Sequence, residues 1–358
     1  MGVTLFEPPP RDPSKSAIEN ILDLTPVTDI GPDVFTNTRP LWHPPGARGI
    51  YGGSAIAQCL AAAQLTVPSD YLPHSMHCYF VLAGDSSLPI LYHVERVRDG
   101  KSFATRTVQA RQRGRPIFTT TLSFDREGSG GEHKVEHATP MPKNLQFPDE
   151  KDESPGRGPF ESRRSHVADS SASSRPEEKV ILQWIRARGK ISEAGGLQAH
   201  LSALAYMSDS YFIGTVARVQ NLPRFSSPAA LKKALSALKN PSDLDEQTIT
   251  KYLKDLADKE AHELKSHAAG TTNSRSRVAP KREIGMMVSL DHTIYFHNRR
   301  GFRADNWIFT EMASPWAGEG RGLVTQKMWA RDGTLIATCV QEGVVRLKQD
   351  RPVNGSKL

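Results

Sequence analysis

Three cysteines in 358 residues, Cys59, Cys78 and Cys339, are too few and too widely spaced for a disulfide scaffold or a cysteine-bound zinc site. Such sparse usage fits a reduced, intracellular chain. Apolar runs are short as well, and none approaches the roughly 18 residues that mark a membrane-spanning helix. The opening MGVTLFEPPPRDPSKS lacks the apolar stretch of a signal peptide, and Phe6 stands where a myristoylation site prefers Ser or Thr. No G-x-S-x-G string occurs. Gly53-Ser54 lacks both the spacing and the closing glycine, which excludes the nucleophile elbow of an α/β-hydrolase, and the cysteines sit in no nucleophile signature. His74 and His77, three apart on a strand, face opposite ways and do not make a metal site. The hydrophobic share, 38%, is low for a globular chain and points to polar linker or insertion. Forty-six basic residues against 39 acidic ones give a charge of +7, which suits an anionic small ligand without calling for nucleic acid.

The composition divides the chain. After a tail over 1–15, a first unit over 16–124 opens with a short helix at Ile18, Ile21 and Leu22 and a strand from Val34 to Trp42. An Ala-rich run from Ser54 to Leu65, apolar almost all round, reads as a buried helix after Gly52-Gly53. Four strand-like runs follow between His74 and Phe124, separated by Gly and Asp turns. Residues 125–179 lose apolar periodicity and read as a polar linker. The second unit, 180–348, repeats the plan: a strand from Val180 to Ile191, Gly195-Gly196, a helix from Leu197 to Ile213, then strands from Gly285 onward. A lysine-rich insertion at about 221–282 interrupts it. There Ile249, Tyr252, Leu253, Leu256 and Leu264 fall at helical spacing, as on a solvated amphipathic surface helix. A tail over 349–358 ends in Ser356-Lys357-Leu358, which reads as a receptor-recognised peroxisomal address.

Two strings place polar side chains where strands bury apolar ones. In SLDHTIYFH, Ser289 to His297, strict alternation puts Ser289, Asp291 and Thr293 on one face and Leu290, His292 and Ile294 on the other. Asp291 and His292 therefore point apart and do not form a dyad. His292 and His297 read as structural. In CVQEGVVRL, Cys339 to Leu347, Gln341 is an amide in an apolar strand and needs a partner if buried. A hydroxyl, a carboxylate and an amide without a histidine base suit the holding of a water better than a covalent intermediate.

Those strings, with WIRARGKI (Trp184 to Ile191), AYMSDSYF (Ala205 to Phe212) and RGIYGGSAIAQCL (Arg48 to Leu60), resemble the acyl-CoA thioesterase II family, its peroxisomal members above all. The likeness spans roughly 24–124 and 180–348. It implies an α+β tandem hot-dog fold, each unit an antiparallel sheet wrapped around a long buried helix. It also implies hydrolysis of fatty acyl-CoA to fatty acid and CoA, no metal or redox cofactor, a peroxisomal matrix location and a homo-oligomer. Carried over by motif, the site is Asp209, Ser289 and Gln341, with Asp209 as base or water orienter and the other two bonded to the same water. Each has a plainer reading alone: a paired helix carboxylate, a strand serine and a strand-end amide. Backbone N–H groups after Gly52-Gly53 or Gly195-Gly196 are free for a carbonyl oxygen or phosphate, and Arg299, Arg300, Arg303 and Arg321 are candidates for CoA phosphates. A hot-dog enoyl-CoA hydratase and a non-catalytic acyl-CoA binding or scaffold protein are the alternatives.

Overall fold

The computed structural model describes residues 8–44, 47–149, 158–164, 175–223, 254, 257, 258 and 282–349. The first unit contains α1 (Ala17–Leu22), β1 (Leu24–Pro26), β2 (Val34–Asn37), α2 (Gly52–Gln64), β3 (Tyr71–Phe80), β4 (Leu91–Asp99), β5 (Phe103–Gln112) and β6 (Arg115–Arg126). The rest comprises β7 (Phe160–Arg164), β8 (Val180–Ala187), α3 (Gly196–Ser208), α4 (Gly214–Val219), β9 (Ile284–Ser289), β10 (Asp291–Phe296), β11 (Ile308–Gly318), β12 (Arg321–Ala330) and β13 (Leu335–Leu347).

One antiparallel sheet runs through both units in the order β1-β2-β4-β5-β6-β3-β10-β13-β12-β11-β8-β7, with β9 also pairing β13. Counted outward from the central β3–β10 pair, the halves read β3-β6-β5-β4-β2-β1 and β10-β13-β12-β11-β8-β7. This is the internal duplication that residue-level comparison of the halves does not reveal. It is a tandem hot-dog, with α2 and α3 as the two central helices.

Both helices are buried because their apolar residues leave no polar face to wet. Ile56, Cys59, Leu60, Ala62 and Ala63 of α2 and Leu201, Leu204, Ala205 and Met207 of α3 are fully buried in one core. Each large side chain so buried stabilises the fold by about 1.5–3 kcal/mol. Among the described residues no helix is long and apolar enough to cross a membrane.

Several expectations change. The strand expected over Val34 to Trp42 is only β2, since Pro40 cannot donate to a ladder. The helix expected to reach Ile213 stops at Ser208, because Tyr211 takes a left-handed conformation (φ 56°), and α4 starts afresh. The segment read wholly as linker is structured in part. Its residues 139–147 strap the outer face of the second half, where Leu182, Trp184, Trp307, Phe309 and Trp329 form a second apolar cluster. Trp184 donates to Gln146 O at 3.0 Å, Trp329 to Thr139 O at 3.0 Å, and Phe147 packs on Trp184. Beyond the strap, Phe160–Arg164 adds β7 as an edge strand. Nearly all of the lysine-rich insertion, with Ile249, Tyr252, Leu253, Leu256 and Leu264, lies outside the described residues, as does Ser356-Lys357-Leu358.

Candidate active site

The start of α2 meets the end of α3. Tyr51, the residue before α2, donates its hydroxyl to Tyr206 O at 3.0 Å and packs on the Tyr206 ring. Among the described residues no side chain caps α2, so its first N–H groups, at Gly52 and Gly53, have neither an intrahelical partner nor a capping one there. Both positions are close approaches that an added methyl would crowd. A methyl on Gly52 would lie 2.7 Å from Asp209 Oδ2 and 2.9 Å from the Phe80 ring, and one on Gly53 would collide with Tyr206 O and the Tyr51 ring. Asp209 is the residue that ends α3, half-buried, with its carboxylate against Gly52. The positive end of the α2 dipole is thus turned toward a carboxylate.

At the opposite helix start another carboxylate lies close by. Glu19 of α1 lies against Gly195, its carboxylate taking the N–H of Ser192 at 3.1 Å and the Ser192 hydroxyl at 2.5 Å. Ser16 supplies two more donors to the same carboxylate. Burial pushes the Glu19 carboxyl up, but these donors outweigh it and hold it below its usual range.

Gln341, fully buried on β13, donates from Nε2 to Asp209 Oδ1 at 2.9 Å. The same nitrogen lies 3.2 Å from His292 Nδ1, and His292 Nε2 lies 3.0 Å from Ser208 Oγ. Ser208 in turn donates to Ala205 O at 2.9 Å. His292 has no exposed surface, and burial pushes its pKa down to about 3, so it is neutral at ordinary pH. Gln341 Oε1 is buried and has no hydrogen-bond partner among the described residues.

Strict alternation through Ser289 to Thr293 does not hold. Ser289 pairs with Gly343 and Thr293 with Val340, so four steps on one strand face three on the other. The extra residue is a bulge at Leu290, and it inverts the side-chain parity. Ser289, opposite Gly343, therefore lies on the inward face with Gln341 and His292, whereas Asp291 faces away from it. The bulge is pinned by Asp291, whose Oδ1 accepts the N–H of Glu342 at 2.7 Å while Leu290 N donates to Glu342 O at 2.9 Å. Burial raises the Asp291 pKa against the opposing effect of that N–H. Leu290 O then accepts from Phe80 N, at 2.9 Å, which ties the bulge to the ring beside Gly52.

Asp209 and Gln341 are therefore in contact, with Ser289 on the same face. His292, read as structural, touches Gln341 directly. The pattern His292, Ile294, Phe296 with buried apolar members did mark it as inward, but nothing in that pattern revealed its partners. The four arginines considered for CoA phosphates all hold carboxylates: Arg299 with Asp125, Arg300 with Glu127, Arg303 with Asp305, and Arg321 with Glu342.

Family models described as acyl-CoA thioesterase N-terminal domain and acyl-CoA thioesterase C-terminal domain match residues 39–125 and 135–345. Human acyl-coenzyme A thioesterase 8 is 33% identical over 371 residues, covering 98% of this chain and 94% of its own. Yeast peroxisomal acyl-coenzyme A thioester hydrolase 1 is 23% identical, covering 95% and 98%. The crystal structure of an acyl-CoA thioesterase II from Mycobacterium marinum superposes with a TM-score of 0.62 at 27% identity, covering 94% of this chain and all of that one.

Proposed function

The chain belongs to the acyl-CoA thioesterase II family and hydrolyses acyl-CoA, and on that premise we propose that the attacking water is held by Asp209, Gln341 and Ser289. The observation that carries this reading is the bond from Gln341 Nε2 to Asp209 Oδ1 directly before the uncapped start of α2. Asp209 takes a proton as the water oxygen bonds to the thioester carbonyl carbon. The N–H groups at the start of α2 receive the developing oxyanion. The C–S bond then breaks, and the CoA thiolate leaves with the proton returned by Asp209. Because a thiolate is a good leaving group, one base suffices and no covalent intermediate is needed.

Thiol release from acyl-CoA of graded chain length, by wild type and Asp209→Ala, tests the reading. Full turnover in the variant would remove Asp209 from the role. The match to thioesterase domains in both halves sets aside the hydratase and non-catalytic alternatives.

The yeast relative is named peroxisomal, and Ser356-Lys357-Leu358 reads as an address to the same compartment. Matrix import through the receptor for that tripeptide is part of the proposal. An N-terminal fluorescent fusion should collect in peroxisomes and become diffuse when the tripeptide is removed. Self-association is proposed through the outer sheet face, where Tyr79 and Tyr295 are exposed. Light scattering on the purified chain reads it.

A further inference from the structure

We propose that His292 is a positioning residue for the hydrolysis: in its Nε2–H tautomer it holds the Gln341 amide with the nitrogen toward Asp209 and leaves Oε1 to accept from the attacking water. This rests on the water-site reading above and assigns a task to a side chain that reading leaves idle.

Proton counting along the chain of contacts leads there. Ala205 O only accepts, so the Ser208 hydroxyl hydrogen, 2.9 Å away in donor–acceptor distance, belongs to that bond. Ser208 Oγ then offers lone pairs, and in this arrangement His292 Nε2 at 3.0 Å donates to them. A neutral imidazole has one N–H, which leaves Nδ1 with a lone pair. Facing Nδ1 at 3.2 Å is Gln341 Nε2, which donates. Its second hydrogen goes to Asp209 Oδ1 at 2.9 Å. Both amide hydrogens are thereby used, and the carbonyl oxygen, buried and without a partner among the described residues, is the acceptor left over.

Every other arrangement sets like against like. A flipped amide turns its oxygen on a carboxylate and an imidazole lone pair. The Nδ1–H tautomer turns a proton on the amide hydrogens, and so does imidazolium. Complete burial of His292, under the edge of the Phe212 ring at 5.5 Å between centroids, keeps the ring neutral and in place.

The test compares His292→Asn with His292→Leu, side chains that branch alike at Cγ and differ in polarity. Asparagine keeps an acceptor near the Nδ1 position, and leucine keeps none. In thiol release, His292→Leu should lose kcat about 100-fold with KM nearly unchanged, the cost of misplacing a reacting group, while His292→Asn should retain most of it. Indistinguishable turnover in the two folded variants overturns the proposal. Should leucine fail to fold, nitrogen-15 NMR of the wild type, with His292 identified by its proximity to Phe212, decides: the Nε2–H tautomer supports the proposal and the Nδ1–H tautomer overturns it. Asp209→Asn in parallel separates the two failures. Full turnover there removes the water-site reading together with this proposal. An inactive Asp209→Asn beside indistinguishable His292 variants removes the proposal alone.

Discussion

Gln341 Nε2 donates to Asp209 Oδ1 across 132 residues of chain, at 2.9 Å, and joins the last strand of the sheet to the end of the second central helix. The bond gives the carboxylate an uncharged amide partner, which suits the general base proposed for Asp209. Asp209→Ala should therefore lower kcat by about 100- to 10,000-fold. Its melting temperature should stay close to wild type, since Asp209 lies beyond the last helical residue and is half-buried. Initial rates of thiol release with a thermal melt on the same preparation check both halves.

Gly52 and Gly53 separate the site from the scaffold. At Gly52 an added methyl meets the far end of Asp209 and the Phe80 ring, and a carboxylate can swing away. Gly52→Ala should cost about 100-fold in kcat/KM by displacing the carboxylate proposed as base, while alanine's better helix propensity, up to about 1 kcal/mol, offsets the crowding. At Gly53 the methyl meets the backbone oxygen of Tyr206, which cannot retreat. Gly53→Ala should destabilise by about 1–3 kcal/mol, as overpacking does. Urea midpoints and kinetics on the pair should show activity lost without stability in one, and both lost in the other.

The order of elements and both central helices were legible because Ala-rich apolar runs and period-two strands each bury a face that water would otherwise meet. Asp209 and Gln341 were legible only through family motifs, since 132 residues separate them and no local pattern records a tertiary contact. The face of Ser289 was misread for a definite reason. A period-two rule holds only while the ladder is continuous, and the bulge at Leu290 adds one residue to one strand. Asp291, whose carboxylate satisfies the N–H of Glu342, is the trace that bulge leaves in the sequence. The strap over the second half was hidden by composition. Thr139 and Gln146 offer only backbone carbonyls to the two tryptophan N–H groups, and backbone bonding leaves little mark on residue choice.

His292 makes the fold sensitive to acid. Its folded pKa is depressed to about 3 by burial, against about 6.5 in the unfolded chain, so between these values the unfolded state binds the extra proton. Stability from this group is complete above pH about 6.5 and falls by up to about 1.4 kcal/mol per pH unit below it, levelling off near 3. Replacing His292 with a side chain that does not titrate should flatten this part of the profile. Denaturant midpoints from pH 7 down to pH 4 measure it, and an unchanged slope in His292→Asn would assign the acid sensitivity to another group.

Glu19 works in the opposite sense on the charged form, and it joins α1 to the entry of α3. Its carboxylate accepts from Ser16 N at 2.8 Å, from Ser192 N at 3.1 Å and from both serine hydroxyls, with only 5% of the residue exposed. Glu19→Ala removes a capping-box partner, worth about 1 kcal/mol, and strands the buried donors of Ser16 with the part-buried ones of Ser192, worth about 1–3 kcal/mol more. A loss of about 2–4 kcal/mol is expected, with the thioesterase rate of the surviving folded fraction unchanged because the α2 end is untouched. Glu19→Gln isolates the charge. Because the folded pKa lies below the ordinary glutamate value of 4.5, the advantage of glutamate over glutamine is complete above that pH and shrinks as the pH falls through the folded value. Paired urea titrations of wild type and Glu19→Gln at pH 7 and in the acid range should converge toward low pH. A gap that stays constant would mean the carboxylate's charge contributes nothing and that its packing alone joins the two elements.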